Sequence, residues 1–214
     1  MRDTDDRERL VTRKRNGVKR VSAMKRLLFP AAIVLAVWLT PAMAQTRLNS
    51  AAMVDSLQGL EEVPPGFSAS LLRKQARDAL ADPLRANPNN REPLSQQLEK
   101  LSQITVAVQF DFGSARIRPQ SYRTVGLLAD SLYHPYLLGY RFIVAGHTDA
   151  VGGRESNLEL SQRRADAIRD ALINPFGIAP QRIEAVGLGE EQLLNRRNPQ
   201  AAENRRVQLI NIGR

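Results

Sequence analysis

The pattern of hydrophobic and polar residues predicts four β-strands in the second half of the chain. In the first strand, apolar residues such as Ile104 and Val106 occupy every second position, the period of a strand with one buried face. The other three strands are short apolar runs bounded by Gly or polar residues. The predicted strands cover residues 104–112, 140–145, 183–186 and 206–212.

Apolar residues at helical spacing predict helices between these strands. Pro119 is well placed to open the first helix, because proline favours the first helical position. Ser156 and Glu159 have the spacing of a capping box, so we expect the second helix to begin there and to run to about residue 173. A further helix is predicted earlier in the chain, over residues 71–81. The buried stripe of the second helix is expected to be Ser161, Ala165, Ile168 and Leu172.

Strands that alternate with helices predict an α/β fold, here an α+β sandwich with helices packed on one sheet. The first three strands should lie parallel, because crossover connections through a helix join parallel strands, and the last strand is expected to be antiparallel. The order along the chain is therefore βαβαββ, with a mixed parallel and antiparallel sheet. The carboxyl ends of the first two strands then share one edge of the sheet, where ligands of open α/β sheets usually bind.

The amino-terminal segment carries most of the positive charge. Residues 1–44 contain 10 of the 31 Lys and Arg and 4 of the 22 Asp and Glu, so the formal charge of +9 falls to +3 downstream. Lys25 and Arg26 precede a short apolar run that ends in an Ala-x-Ala sequence, the arrangement of a secretory signal peptide. We therefore expect a signal peptide at residues 24–44, behind an extension at residues 1–23 that an early start codon would explain.

The apolar run is too short for a comfortable bilayer span, which needs about 20 residues, although an uncleaved anchor stays open. The mature sequence contains no other stretch that could cross a membrane, and the chain has no Cys. Disulfides, thiol catalysis and a lipid-modified Cys are thereby excluded. Export without a lipid predicts a location in the periplasm or at the outer membrane.

Residues 45–100 are rich in Pro, Ser, Asn and Gln and contain evident chain breaks. We expect a loosely structured lead-in with one helix, ahead of a folded domain at residues 101–214. The lead-in could be a tether that gives the domain reach, or it could dock on an envelope protein partner. The sequence does not choose between these two roles.

Asp149 and Arg164 place opposite charges at one edge of the predicted sheet. Asp149 directly follows the second strand, where its carboxylate is free to accept a hydrogen bond from an ammonium group. Arg164 has no acidic residue three or four positions away on its helix, whereas Arg163 has Glu159. A guanidinium can hold a carboxylate through two parallel hydrogen bonds. A ligand with an ammonium and a carboxylate on one carbon would satisfy both side chains.

Five short motifs follow one another between residues 105 and 206: Phe110-Asp111-Phe112-Gly113-Ser114-Ala115, Gly146-His147-Thr148-Asp149, Asn157-x-x-Leu160-Ser161-x-x-Arg164-Ala165, Gly187-x-Gly189-Glu190 and Asn204-Arg205-Arg206-Val207. In this order, the motifs resemble those of the OmpA-like, peptidoglycan-binding domain family. The resemblance covers about half of the chain. It implies a noncatalytic domain that binds peptidoglycan and so anchors or organises the cell envelope. The chain departs from the family after Glu190, where members often have a proline.

The same resemblance implies a ligand and a binding pocket. Asp149 and Arg164 would hold the two charges at the free end of diaminopimelate in the peptidoglycan stem peptide, whereas lysine at that place offers only the ammonium. The implied pocket wall consists of Thr148, Asn157, Arg205 and the backbone of Phe112 and Gly113.

Two other functions stay open. A cell-wall hydrolase of glycosidase type would need two carboxyl groups about 5–10 Å apart, and Asp111 and Asp149 are the candidates at this edge. A nucleic-acid-binding protein is suggested by the net charge, but the downstream charge of +3 and the sparse aromatic residues argue against it. We expect no catalytic residues, no cofactor and no nucleic-acid partner.

Three neighbouring features receive structural interpretations. His147 is expected to orient its loop, and no metal site is expected, because two His and no Cys do not supply a zinc site. Arg206 is expected to be solvated or paired. The segment 187–189 is expected to form a tight turn, since it is too short for a phosphate-binding loop.

Overall fold

A computed structural model of the chain describes residues 49–59, 63–87 and 96–214. The expected extension at residues 1–23 and signal peptide at residues 24–44 lie outside the described residues. The helices of the described part are α1 (Ser50–Leu57), α2 (Ala69–Ala81), α3 (Gln96–Lys100), α4 (Tyr122–Leu132) and α5 (Arg154–Ile173). Its strands are β1 (Gln103–Val106), β2 (Phe142–His147), β3 (Ile183–Gly189) and β4 (Val207–Asn211). Within these ranges, no helix combines the length and the apolar character that a membrane crossing requires.

The four strands form one mixed sheet in the order β1-β4-β2-β3. Strands β2 and β3 are parallel, and β4 lies antiparallel between β1 and β2. The predicted α/β fold with a mixed sheet is therefore confirmed. Strands β1 and β2 run in the same direction on either side of β4, so their carboxyl ends point to the same edge of the sheet, as predicted.

Strand β1 is shorter than the sequence predicts. It ends at Val106, which pairs with Val207, the first residue of β4, so no partner strand continues beyond it. Apolar residues still occupy every second position after Val106 because the next segment folds back on itself. There the backbone N–H of Arg118 donates to the carbonyl of Gln109 at 2.9 Å. The strand-like pattern after Val106 thus belongs to a small irregular hairpin and not to an extension of the sheet.

The first face of the sheet packs against α4, α5 and α1. The predicted inner stripe of α5 is buried: Ala165, Ile168 and Leu172 belong to this core, and Ser161 is fully buried beside it. Helix α1 adds Met53 to the same cluster. The end of α5 at Ile173 is also as predicted. One core therefore joins the predicted domain to residues that precede it in the chain.

The second face of the sheet is covered by the lead-in. Leu72 of α2 and Leu98 of α3 are fully buried against strand residues that include Ile143 and Ile210. The predicted helix at residues 71–81 is confirmed as α2, which begins two residues earlier because Ser68 caps its amino terminus. The expectation of a loosely structured lead-in with one helix was wrong: its described residues form three helices, because an apolar sheet face is available to bury them.

Helix α5 begins earlier than predicted. It starts at Arg154, with Gly153 in the capping position and without a side-chain cap. Ser156 lies inside the helix, where its hydroxyl donates to the carbonyl of Gly153 at 2.8 Å. The capping box was therefore a wrong prediction. The segment 187–189 is also not a tight turn but the last part of β3.

Side chains occupy the outer edge of β3. The guanidinium of Arg73 donates to the carbonyl of Ala185 at 2.9 Å, and that of Arg169 donates to the carbonyl of Ile183 at 3.1 Å. The backbone N–H of Gly187 donates to the side-chain oxygen of Gln162 at 2.8 Å. These bonds satisfy backbone groups that a sheet edge otherwise leaves unpaired.

Candidate functional site

Asp149 lies directly after β2 and is largely buried, with 10% of its side chain exposed. One carboxylate oxygen accepts from the backbone N–H of Val151 at 3.3 Å, which is an interaction within its own loop. The other oxygen accepts a short hydrogen bond from the guanidinium of Arg205. The carboxylate that the sequence leaves free is therefore ion-paired in the structure, with a partner that is 50% exposed.

Arg164 projects from α5 toward the same edge of the sheet. Its Nε donates to the carbonyl of Ser114 at 3.1 Å, and its guanidinium carbon lies 4.9 Å from the centre of the Phe110 ring. Burial lowers the pKa of Arg164 from its ordinary value, while the negative charge of Asp149 acts in the opposite direction. Within the described part of the chain, no carboxylate forms an ion pair with Arg164. Its fork is positioned by neutral partners and remains able to bind an anion.

The guanidiniums of Arg164 and Arg205 line one small cavity. Its lining residues come from the ends of β2 and β4, from α5 and from the segment after β1; they are Val108, Phe110, Gly146, His147, Arg164, Arg205, Arg206 and Val207. The volume of the cavity is about 20 Å³, which is room for roughly one water molecule. Because Arg205 also pairs with Asp149, the structure brings Asp149, Arg164 and Arg205 together at one place, as the sequence motifs imply.

Asn157 and Thr148 are buried residues next to the loop that carries Asp149. Asn157 is buried, and its amide nitrogen donates to the carbonyls of Asp149 and Val151, both at 3.2 Å, and to the carboxylate of Glu190. The contact with Glu190 was missed by sequence reasoning, although that residue stands in a quoted motif, because no spacing signals a pair 33 positions apart. Asn157 thus fixes the loop that carries Asp149.

Thr148 is 3% exposed, and its backbone N–H donates to the carbonyl of Gly189 at 2.9 Å. Its hydroxyl has no partner among the described residues. Phe112, in contrast, is fully exposed, and Gly113 beside it has a φ of +62°, which favours glycine. The turn at Phe112 and Gly113 therefore stands out from the site, and Ser114 of the same turn holds Arg164.

Arg206 is neither solvated nor ion-paired with a described carboxylate, so that prediction was wrong. It is 7% exposed, and its Nη2 donates to the carbonyl of Gln192 at 3.0 Å and to the side chain of Gln208 at 3.3 Å. Burial lowers the pKa of Arg206 to about 10. His147 is buried next to it, and burial first, then the charge of Arg206, holds the pKa of this imidazole well below its ordinary value.

The buried His147 predicts a loss of stability in mild acid. The folded state keeps the imidazole neutral, whereas an unfolded His takes up a proton below about pH 6.5. The unfolded state therefore binds more protons, and the free energy of unfolding should fall as the pH drops below that value, by up to about 1.4 kcal/mol per pH unit. Urea unfolding at pH 7.5, 6.5 and 5.5 measures this slope.

The variant His147→Gln is expected to flatten that part of the profile, because it removes the titrating group. His134→Gln, at the other histidine of the chain, is the matched control. A slope between pH 6.5 and 5.5 that is identical in the parent and in His147→Gln would contradict the assignment to His147.

Asp111 lies in the turn beside the site and is held by two arginines. Arg116 and Arg118 both donate to its carboxylate. The hydrogen bond from Arg116 is the main reason that the pKa of Asp111 is lowered from its ordinary value. A general acid needs the opposite shift. Among the described residues there is also no cluster of three or more His, Asp or Glu that could hold a metal ion.

Fold and site together define a mixed α/β domain with a charged recess at one sheet edge. The sequence model of the OmpA family matches residues 109–206. The chain is 38% identical over 108 residues to outer membrane porin F of Pseudomonas aeruginosa, a match that covers 49% of this chain and 30% of the porin. It is 34% identical over 102 residues to the peptidoglycan-associated lipoprotein of Pseudomonas putida, covering 47% of this chain and 59% of the lipoprotein.

A solved structure that the chain resembles is the peptidoglycan-associated lipoprotein of Burkholderia pseudomallei. Its sequence identity is 34% and its TM-score 0.41, and the match covers 50% of this chain and 88% of that one. Residues 109–206 therefore belong to the OmpA family. The chain spans about a third to three fifths of the length of the two curated relatives above.

Proposed function

We propose that this protein binds peptidoglycan without catalysis, through the diaminopimelate residue of the stem peptide, and so anchors or organises the cell envelope. The observation that carries the proposal is the convergence of Asp149 and Arg164 at one edge of the sheet, in a chain whose residues 109–206 belong to the OmpA family. Two relatives named peptidoglycan-associated lipoprotein, from Pseudomonas putida and Burkholderia pseudomallei, support it.

The two charges match the free end of diaminopimelate. The fork of the Arg164 guanidinium would donate to the carboxylate, and the carboxylate of Asp149 would accept from the ammonium on the same carbon. Each charge-assisted hydrogen bond contributes about 1.5–3 kcal/mol, so a ligand that lacks either charge should bind much more weakly. The neutral partners of Arg164, the Ser114 carbonyl and the Phe110 ring, fix its direction without neutralising it.

The other pocket residues have supporting roles in this proposal. Asn157 holds the loop that carries Asp149, and the hydroxyl of Thr148 is available for a further bond. The exposed turn at Phe112 and Gly113 offers backbone groups to the ligand, and Arg205 lies on the same cavity as Arg164. Each of these assignments is part of the proposal and is tested with it.

The proposal extends to the location of the protein. Relatives named outer membrane porin F and peptidoglycan-associated lipoprotein support a place in the periplasm, associated with the outer membrane and the wall. An envelope protein partner for residues 45–100 stays a prediction. A wall hydrolase is disfavoured because both carboxyl groups it would need are ion-paired, Asp111 with Arg116 and Arg118 and Asp149 with Arg205.

Sedimentation with purified diaminopimelate-type sacculi tests the function. The parent chain is expected to pellet with the sacculi, and Asp149→Asn and Arg164→Gln are each expected to weaken binding by about 10- to 150-fold, the equivalent of one charge-assisted bond. Arg163→Gln is the matched control, because it removes an equal charge from the neighbouring residue, which pairs with Glu159 at 3.7 Å. Titration with stem peptides that carry either diaminopimelate or, at the same place, lysine identifies the ligand group.

Urea unfolding of each variant shows whether the fold persists. Equal retention of the parent, Asp149→Asn and Arg164→Gln on sacculi would overturn the proposed function. Equal affinity for the diaminopimelate peptide and the lysine peptide would overturn the choice of ligand.

A further inference from the structure

Arg205 gives the site one more positive charge than a zwitterionic ligand end can use. The site contains one carboxylate, on Asp149, and two guanidiniums, on Arg164 and Arg205. In the structure Arg205 already donates to one oxygen of Asp149, and the other oxygen accepts from the backbone N–H of Val151. An ammonium that pairs with Asp149 competes with Arg205 for this carboxylate, and a displaced Arg205 is left without its partner.

We propose that Arg205 exchanges partners when the ligand binds: it releases Asp149 and pairs with a second carboxylate of the ligand. The site would then select ligands with one ammonium and two carboxylates. This inference rests on the proposed function and specifies the ligand further. Arg164 binds the first carboxylate of the ligand, Asp149 binds its ammonium, and Arg205 binds its second carboxylate. Asp149, Arg164 and Arg205 are then each paired with an opposite charge.

The dimensions of the cavity support this exchange. Its volume of about 20 Å³ has room for roughly one water molecule, so an amino-acid end with two charged groups fits only if a lining side chain such as Arg205 moves. The side chain of Arg205 is 50% exposed, whereas that of Asp149 is 10% exposed. The arginine can therefore turn outward into solvent, while the carboxylate is held in place by its loop.

The neighbouring arginines do not fit this role. Arg206 is buried and is bonded to the Gln192 carbonyl. Arg116 and Arg118 share the carboxylate of Asp111. Arg163 pairs with Glu159 on the helix surface. Of the arginines that line the cavity, Arg205 is thus the one with both an exposed side chain and a partner that the ligand would remove.

The stem peptide offers such a second carboxylate in two places. The glutamate that precedes diaminopimelate is linked through its side chain, so its α-carboxylate is free, and the last residue of the peptide carries a terminal carboxylate. Both groups lie within one residue of diaminopimelate in a tetrapeptide. Either can be converted to an amide without changing the zwitterionic end that Asp149 and Arg164 would bind.

Calorimetric titration with three synthetic tetrapeptides tests the inference. The first has both carboxylates free, the second has the glutamate α-carboxylate amidated, and the third has the terminal carboxylate amidated. The parent chain is expected to bind one of the two amidated peptides about fivefold to tenfold more weakly than the free acid, the effect of one half-exposed charge-assisted bond. That peptide identifies the source of the second carboxylate.

The variant Arg205→Gln is expected to bind the free acid and that amidated peptide equally. It should also bind the amidated peptide more tightly than the parent does, because the ammonium no longer displaces a guanidinium. Arg163→Gln, the control of equal charge, should keep the discrimination of the parent. If Arg205 had a purely structural role, Arg205→Gln would lower the affinity for all three peptides alike.

The inference is overturned if Arg205→Gln keeps the parent's ratio between free and amidated peptides, or if the parent binds all three equally. In both cases the proposed function survives, because the peptides still bind through Asp149 and Arg164. Absence of binding to every peptide by the parent would overturn both the inference and the proposed function.

Discussion

Replacing Leu72 with alanine is expected to lower the free energy of unfolding by about 2–5 kcal/mol, the range found when a fully buried leucine is truncated. Leu72 is fully buried in the core between α2 and the second face of the sheet. The truncation removes apolar surface from that core and leaves a cavity that the rigid sheet cannot fill. Urea unfolding of the chain, followed by circular dichroism, measures the loss.

Leu71→Ala is the matched control, since Leu71 precedes Leu72 on the same helix and is 36% exposed. The two substitutions change helix propensity equally, so the control should cost less than about 1 kcal/mol. Equal and small effects of both would mean that α2 does not contribute to the core. A large effect of Leu72→Ala alone would show that the lead-in is part of the folded unit.

Replacing Gly187 with alanine is expected to lower the free energy of unfolding by about 3 kcal/mol, at the upper end of the usual cost of overpacking. A Cβ at this position would lie 2.2 Å from the backbone nitrogen of Gln162 and 2.5 Å from its Cα. Backbone atoms cannot move aside like the end of a flexible side chain. Helix α5 would therefore have to shift away from β3, and it carries Arg164 with it.

Gly126→Ala is the control for this second substitution. Gly126 lies inside α4, and a Cβ there would meet the Phe176 ring at 3.5 Å, which is ordinary contact. Alanine is the better helix former by about 0.5–1 kcal/mol, so this variant should be as stable as the parent or more stable. Thermal unfolding of both variants separates the two expectations, and a Gly187→Ala variant as stable as Gly126→Ala would contradict the close approach of α5.

Local patterns in the sequence were sufficient for the elements nearest the site. The buried stripe of α5 follows from the spacing of Ala165, Ile168 and Leu172, and the position of Asp149 follows from the end of an apolar run. Both signals are short-range, because helix and strand periods repeat within a few residues. The placement of Asp149 and Arg164 at one edge then required only the direction of crossover connections.

Long-range contacts explain what the sequence could not provide. Strand β4 inserts between β1 and β2, so residues 104 and 209 become partners although they are distant in the chain. The pairing of Asp149 with Arg205 joins positions 56 residues apart and has no local signature. The burial of Arg206 likewise depends on tertiary packing, since the residues before it, Asn204 and Arg205, are polar and charged.

The lead-in illustrates how tertiary packing overrides composition. Its abundance of Pro, Asn and Ser favours irregular structure, and short isolated helices are marginal in water. Helices α1 and α2 nevertheless form in the structure, where Met53 and Leu72 are buried against the sheet. Few apolar residues stabilise these helices, and the sequence does not reveal their role because it does not show the sheet surface that they cover.

The side chains along the outer edge of β3 also affect how copies of the protein meet one another. If the protein binds peptidoglycan as proposed, its copies gather on a polymer mesh at high local concentration, and an open strand is a template for adding another strand. The carbonyls of Ile183 and Ala185 already accept bonds from Arg169 and Arg73. A neighbouring copy would have to break these bonds before its own strand could attach, so crowding on the mesh should not extend the sheet from one molecule to the next on this side.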